Sequence, residues 1–153
     1  MGWGLRASMV AMKAAILYQS LTGTTREAGE LIAVNLQQEG WGITGVSSVA
    51  KPELRSIQDA DLIVVGTWVH GLFVVGQMPF GVANLENLPA MRGKKAATFC
   101  TYGLNPGKSL AKMDDAVRKT GLEVVDGMAI HRGKLRSRTE AFAAQLTSKL
   151  ARA

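Results

Sequence analysis

Six consecutive residues, Ser20, Leu21, Thr22, Gly23, Thr24 and Thr25, stand between an apolar run and a helical pattern. A strand that ends in hydroxyl residues and a glycine, then feeds straight into a helix, gathers backbone N–H groups at the positive end of the helix dipole. Such a loop is an anion cradle. The hydroxyls of Ser20, Thr22, Thr24 and Thr25 add donors, and Gly23 lets the backbone turn with positive φ and approach a bound group closely. No lysine stands where a nucleoside triphosphate loop needs one, so a single phosphate is the better-matched ligand. The later NPGKS also fails as a triphosphate motif, because Tyr102 occupies the place of its first glycine. Neither stretch is a GxGxxG dinucleotide fingerprint. The same six residues also make an ordinary strand-to-helix turn with a threonine cap, and the loop alone supports both readings.

Two later stretches, Thr67-Trp68-Val69-His70-Gly71 and Thr101-Tyr102-Gly103-Leu104-Asn105, each follow an apolar run in the same way. A lone tryptophan is most often a half-buried aromatic, but on the rim of a ligand site its flat ring suits stacking. His70 has backbone or water as its ordinary partners, and Cys100 reads as a small core residue. Neither is assigned a catalytic role. With one cysteine and two histidines in 153 residues, an internal disulfide is excluded and a usual zinc site cannot be assembled.

The elements that must position these loops follow from periodicity. Lys13 to Gln19 is an unalternated apolar run, which suits a parallel strand buried on both faces. Residues 25–39 place Ala28, Leu31, Ile32 and Leu36 at helical spacing, and Gly40 ends that helix. Ile43 to Val49 is a weaker strand, Leu54 to Gln58 a short helical segment, and Asp61 to Thr67 a central strand. The stretch WVHGLFVVGQMPFG has no clean period and reads as a loop with an exposed apolar tip, followed by a short helix over Val82 to Leu88. Lys95 to Thr101 is a strand, Ser109 to Thr120 a helix with Leu110, Met113 and Val117 inward, and Glu123 to Ile130 the last strand. Phe142, Leu146 and Leu150 form the stripe of a C-terminal helix. Five strands alternating with helices imply a single α/β domain with a doubly wound parallel sheet and right-handed crossovers. The three loops leaving strands 1, 3 and 4 then converge at one rim.

Length and a 47% hydrophobic composition bound the chain to one domain, expected over residues 13–153 after a frayed extension over 1–12 in which Met9 and Met12 are alternative starts. No apolar run has signal-peptide or transmembrane length, so a cytoplasmic protein is expected. The net charge of +6 is uneven: from His131 onward six bases face one acid, Glu140, which leaves +1 for the rest. The run RGKLRSR reads as a solvated loop, and no aromatics interleave its bases as a nucleic-acid platform requires, so no nucleic-acid partner is expected.

The chain resembles the flavodoxin family from Lys13 to Ala153. Two aliphatics, an aromatic, any residue, a hydroxyl residue, a small residue and a closing threonine are met by Ile16, Leu17, Tyr18, Ser20, Gly23 and Thr25. The resemblance implies a three-layer fold with strand order 2-1-3-4-5 and FMN as cofactor. It also implies a phosphate held by the loop from Ser20 to Thr25, and electron transfer between a reductase and an acceptor. Gly66, Thr67 and Trp68 stand where the family carries a ring-stacking tryptophan, and backbone groups of Val69 to Gly71 and Gly103 to Asn105 would line the ring's polar edge. The family's covering tyrosine comes later in the third loop than Tyr102, so Tyr102 either stacks or packs beneath while Leu104 or Pro106 covers the ring. Two features depart from the family habit. Typical members are acidic and this chain is basic, and Leu72 to Phe80 is more apolar than a solvated loop needs to be. They point to an acidic or membrane-associated redox partner. The alternatives in view are an FMN-dependent quinone or protoporphyrinogen oxidoreductase and a flavin-free interaction domain.

Overall fold

The computed structural model describes residues 12–19, 23–68 and 92–151. The β-branched and alanine-rich apolar runs form five strands: β1 (Lys13–Tyr18), β2 (Gly42–Ser48), β3 (Leu62–Trp68), β4 (Lys95–Tyr102) and β5 (Glu123–His131). All pairings are parallel, and the order is β2-β1-β3-β4-β5. Because β1 lies between β2 and β3, the chain winds outward in both directions from β1 and leaves its switch point between β1 and β3. The doubly wound α/β architecture and its strand order are those the sequence implied.

Strand alternation divides the core into two layers. Ala14, Ile16, Leu62, Val64, Ala97 and Phe99 face α1 (Thr24–Gln38) and α4 (Leu135–Leu146), where Ala28, Ile32, Leu36, Phe142 and Leu146 complete the packing. Ala15, Leu17, Ile63, Val65, Ala96 and Cys100 face α2 (Leu54–Asp59) and α3 (Ser109–Arg118) through Ile57, Met113, Ala116 and Val117. Unalternated runs are thus required, since both strand faces exclude water. Gly66 is fixed by packing. A Cβ there would fall 1.9 Å from Cζ of Phe99, so the ring of β4 occupies the space above β3.

Element ends differ from the expected ones by a residue or two, and Leu31 and Leu110 are half-buried. Met12, expected in a frayed extension, accepts a 2.9 Å hydrogen bond from the N–H of Gly42 and packs against the core. The larger correction concerns the basic run. Instead of a loop it forms a 3-10 turn over Arg132–Lys134 and the first turns of α4. Arginine, lysine and leucine are good helix formers, and Leu135, Thr139, Phe142 and Leu146 make a continuous inward stripe that carries the bases on its outer side. The last helix also does not run on as one α-helix. Past Leu146 it opens into a π-helical turn over Thr147–Ala151, where Thr147 Oγ1 accepts from Trp41 Nε1 at 2.9 Å and donates to the Ala143 carbonyl at 2.8 Å. The short helix expected over Val82 to Leu88 and the apolar loop before it lie outside the described residues.

Candidate functional site

β1 delivers the first loop. Parallel pairing continues one residue past the strand, with the N–H of Gln19 donating to the Gly66 carbonyl at 2.8 Å. Gly23 then turns with φ of 98°, and α1 begins directly, the Glu27 N–H donating to the Gly23 carbonyl at 2.9 Å. A Cβ at Gly23 would meet nothing within 4 Å, so glycine is required there by backbone conformation and not by crowding. Gly23 at the N-cap has no side chain with which to cap α1, and the helix dipole at that end favours an anion.

Thr25, in that first turn, is buried, and its hydroxyl lies 2.8 Å from that of Thr101 near the end of β4. Thr101 is also the register partner of Trp68, the half-buried last residue of β3. One buried threonine therefore joins the helix that follows the cradle to the rim of β3 and β4. Thr24 is half-buried beside Thr25, and Thr67 is fully buried one residue before Trp68.

The third loop follows at once. Tyr102 is half-buried and meets the ring of His131 edge-on, with centroids 5.3 Å apart and planes at 87°. Gly103 lies beneath the guanidinium of Arg132, and Leu104 is 77% exposed. Asn105 closes the loop by accepting from the Gly107 N–H at 2.8 Å, Gly107 itself having φ of 57°. Of the expected site residues, Gly23, Thr24, Thr25, Thr67, Trp68 and Thr101 to Asn105 are thus placed along the carboxyl edge of the sheet. Ser20, Leu21, Thr22, Val69, His70 and Gly71 lie outside the described residues.

Sequence reasoning missed two residues on this rim. Gln19 presents a buried Oε1 with no hydrogen-bond partner, next to the cradle. His131 closes β5, and its Nδ1 accepts from the Gly133 N–H at 3.0 Å, which leaves the ring proton on Nε2 and caps the 3-10 turn. Arg132, expected at this rim as part of the basic run, opens the 3-10 turn after β5 and reaches over Gly103. The usable signals were a polar residue ending an apolar strand and a histidine at the carboxyl end of another.

Beneath the rim, burial and then the neighbouring Asp114 carboxylate push the Cys100 thiol up to about 12, so it is an inert core group. Asp114 accepts a hydrogen bond from Thr98, and its own proton affinity is raised mainly by burial.

The donor set fits the FMN that the family resemblance implies. A helix start directly after a left-handed glycine suits a phosphate, and the orphaned Gln19 acceptor suits a hydroxyl donor such as a ribityl chain carries. Among the described residues no group of histidine, cysteine or acidic side chains could hold a metal ion, and no helix is long and apolar enough to cross a membrane.

The chain is similar to known proteins. The family model described as flavodoxin domain matches residues 15–151. A flavodoxin of Clostridium beijerinckii is 27% identical over 111 residues, 72% of this chain and 80% of that protein. Flavodoxin 2 from Bacillus cereus superposes with a TM-score of 0.69 at 21% identity, covering 90% of this chain and 99% of that one. Megasphaera elsdenii flavodoxin does so with 0.60 at 22% identity, covering 86% and 98%. These two share the fold. With the family model spanning nearly the whole described sheet, the chain belongs to the flavodoxin domain family and is an FMN-binding electron-transfer protein.

Proposed function

We propose that this chain is a single-domain carrier, set in the cytoplasm, that takes electrons from a reductase and delivers them to an acceptor with an acidic docking face. FMN supplies the one- and two-electron chemistry when bound. The cradle from Ser20 to Thr25 holds the phosphate, Trp68 stacks on one side of the ring, and Leu104 covers the other. Tyr102, engaged by His131, packs beneath. Backbone groups of Val69 to Gly71 and Gly103 to Asn105 meet the polar edge. The observation that carries this assignment is the buried Thr25–Thr101 hydrogen bond, which couples the cradle's helix to the third loop. The acidic partner is supported by the exposed bases Arg132, Lys134, Arg136 and Arg138 at the end of β5.

Comparing FMN with riboflavin tests the cradle. FMN should bind with quenched flavin fluorescence, and riboflavin, which lacks the phosphate, at least about 100-fold more weakly, as expected for the loss of two or more charge-assisted hydrogen bonds. Equal affinities would remove the phosphate assignment.

A further inference from the structure

We propose that Arg132, the residue following β5, belongs to the flavin site, where its fixed positive charge favours reduced over oxidised FMN. This rests on the reading of residues 103–105 as a ring-lining loop. A Cβ at Gly103 would lie 3.2 Å from Cζ, 3.2 Å from Nε and 3.3 Å from Nη2 of Arg132. Three atoms of one planar group at nearly one distance mean that the guanidinium lies flat on the glycine. Gly103 is not among the glycines with positive φ, and a side chain there would crowd the guanidinium.

The turn that holds Arg132 is itself anchored. His131 contacts Tyr102 on one side and caps Gly133 on the other, so the turn that carries Arg132 is tied to β4 as well as to β5. Among the described residues no carboxylate forms an ion pair with Arg132. Glu27, in the first turn of α1, is the one acid among the described residues on the wall of an open cavity of about 440 Å³, against Arg132, Lys134 and Arg136. The local balance stays positive, and a guanidinium does not lose its proton.

The consequence follows from charge. Reduction by two electrons with uptake of one proton leaves one negative charge at the ring's polar edge, whereas the oxidised ring is neutral. A fixed cation beside the loop that meets this edge stabilises the reduced form selectively.

The test compares the wild type with Arg132→Gln and with Lys95→Gln, an exposed lysine at the amino end of β4 whose loss changes net charge equally. Dissociation constants are measured for FMN and for dithionite-reduced FMN under anaerobic conditions. Arg132→Gln should bind oxidised FMN within about twofold of the wild type and reduced FMN about 3- to 10-fold more weakly, which at about 30 mV per tenfold lowers the two-electron potential by about 15 to 30 mV. Lys95→Gln should leave the ratio unchanged. An unchanged ratio in Arg132→Gln, or an equal fall in Lys95→Gln, overturns the proposal while the FMN assignment stands. A wild type that binds no FMN overturns both, and shows this before any variant is made.

Discussion

Thr25 and Thr101 hold their hydroxyls in a site that water does not reach, so each oxygen depends on the other. Thr25→Val leaves Thr101 buried without that partner, at a cost of about 1 to 3 kcal/mol, and Thr101→Val does the same in reverse. The double variant should lose less than the two singles together, because it removes both unpaired groups. Urea unfolding of the three variants measures this, and strict additivity would mean that the bond contributes nothing. Asp114 offers a second residue-scale outcome. Burial raises its carboxyl above the ordinary value of 3.8, against the opposing pull of Thr98 and Arg118. A group that binds its proton more tightly when folded adds stability below its unfolded pKa and loses it as pH rises through the folded one. Asp114→Asn retains the acceptor for Thr98 and abolishes the titration. The stability of wild type minus variant should therefore fall as pH climbs from the ordinary carboxylate value through the folded one, then level off. A pH-independent difference would contradict the assigned shift.

At the scale of elements, β3 and β4 are locked by a side chain that takes the place of another. Phe99 fills the volume above Gly66, and a methyl at position 66 would sit 1.9 to 2.3 Å from three of its ring atoms. Gly66→Ala must displace the ring from the layer it shares with Ile16 and Val64, which should cost at least about 1 to 3 kcal/mol. Adding Phe99→Leu should recover part of that loss, since a smaller side chain vacates the clash. Thermal or urea unfolding decides. A harmless Gly66→Ala would show that the strands separate more easily than their packing implies. The pairing also bears on the site, because Gly66 accepts from Gln19 and Phe99 is two residues from Thr101.

For the molecule as a whole the governing feature is the placement of charge. The carboxyl end of β5 presents four exposed bases on a 3-10 turn and the start of α4, on the same edge of the sheet as the cradle. A helical mounting fixes their spacing, so the field they make is directional and steers an oppositely charged partner. Reversing Arg136 and Arg138 to Glu should slow electron transfer to an acidic acceptor by roughly tenfold at low ionic strength and flatten its salt dependence. Stopped-flow rates across a salt series provide the measure. Rates and slopes equal to the wild type would leave the basic face without a docking role.

What the chain determined by itself was whatever depends on local periodicity and backbone chemistry. Apolar runs without alternation specify parallel strands buried on both faces, and Gly23 specifies the left-handed turn into α1. Family likeness over Ile16 to Thr25 then added strand order and cofactor. The tertiary structure decided what depends on distant residues meeting. No local pattern couples Thr25 to Thr101, 76 residues apart, or lays Arg132 on Gly103. The basic run reads as a loop in sequence because its charges dominate a short window. Its helix is set by Leu135, Thr139 and Phe142, whose stripe matters only once α1 and the sheet are there to cover it. Propensity acts within a few residues, whereas burial is a property of the folded whole, so the glycine turn into α1 was legible in advance and the distant partner of Thr25 was not.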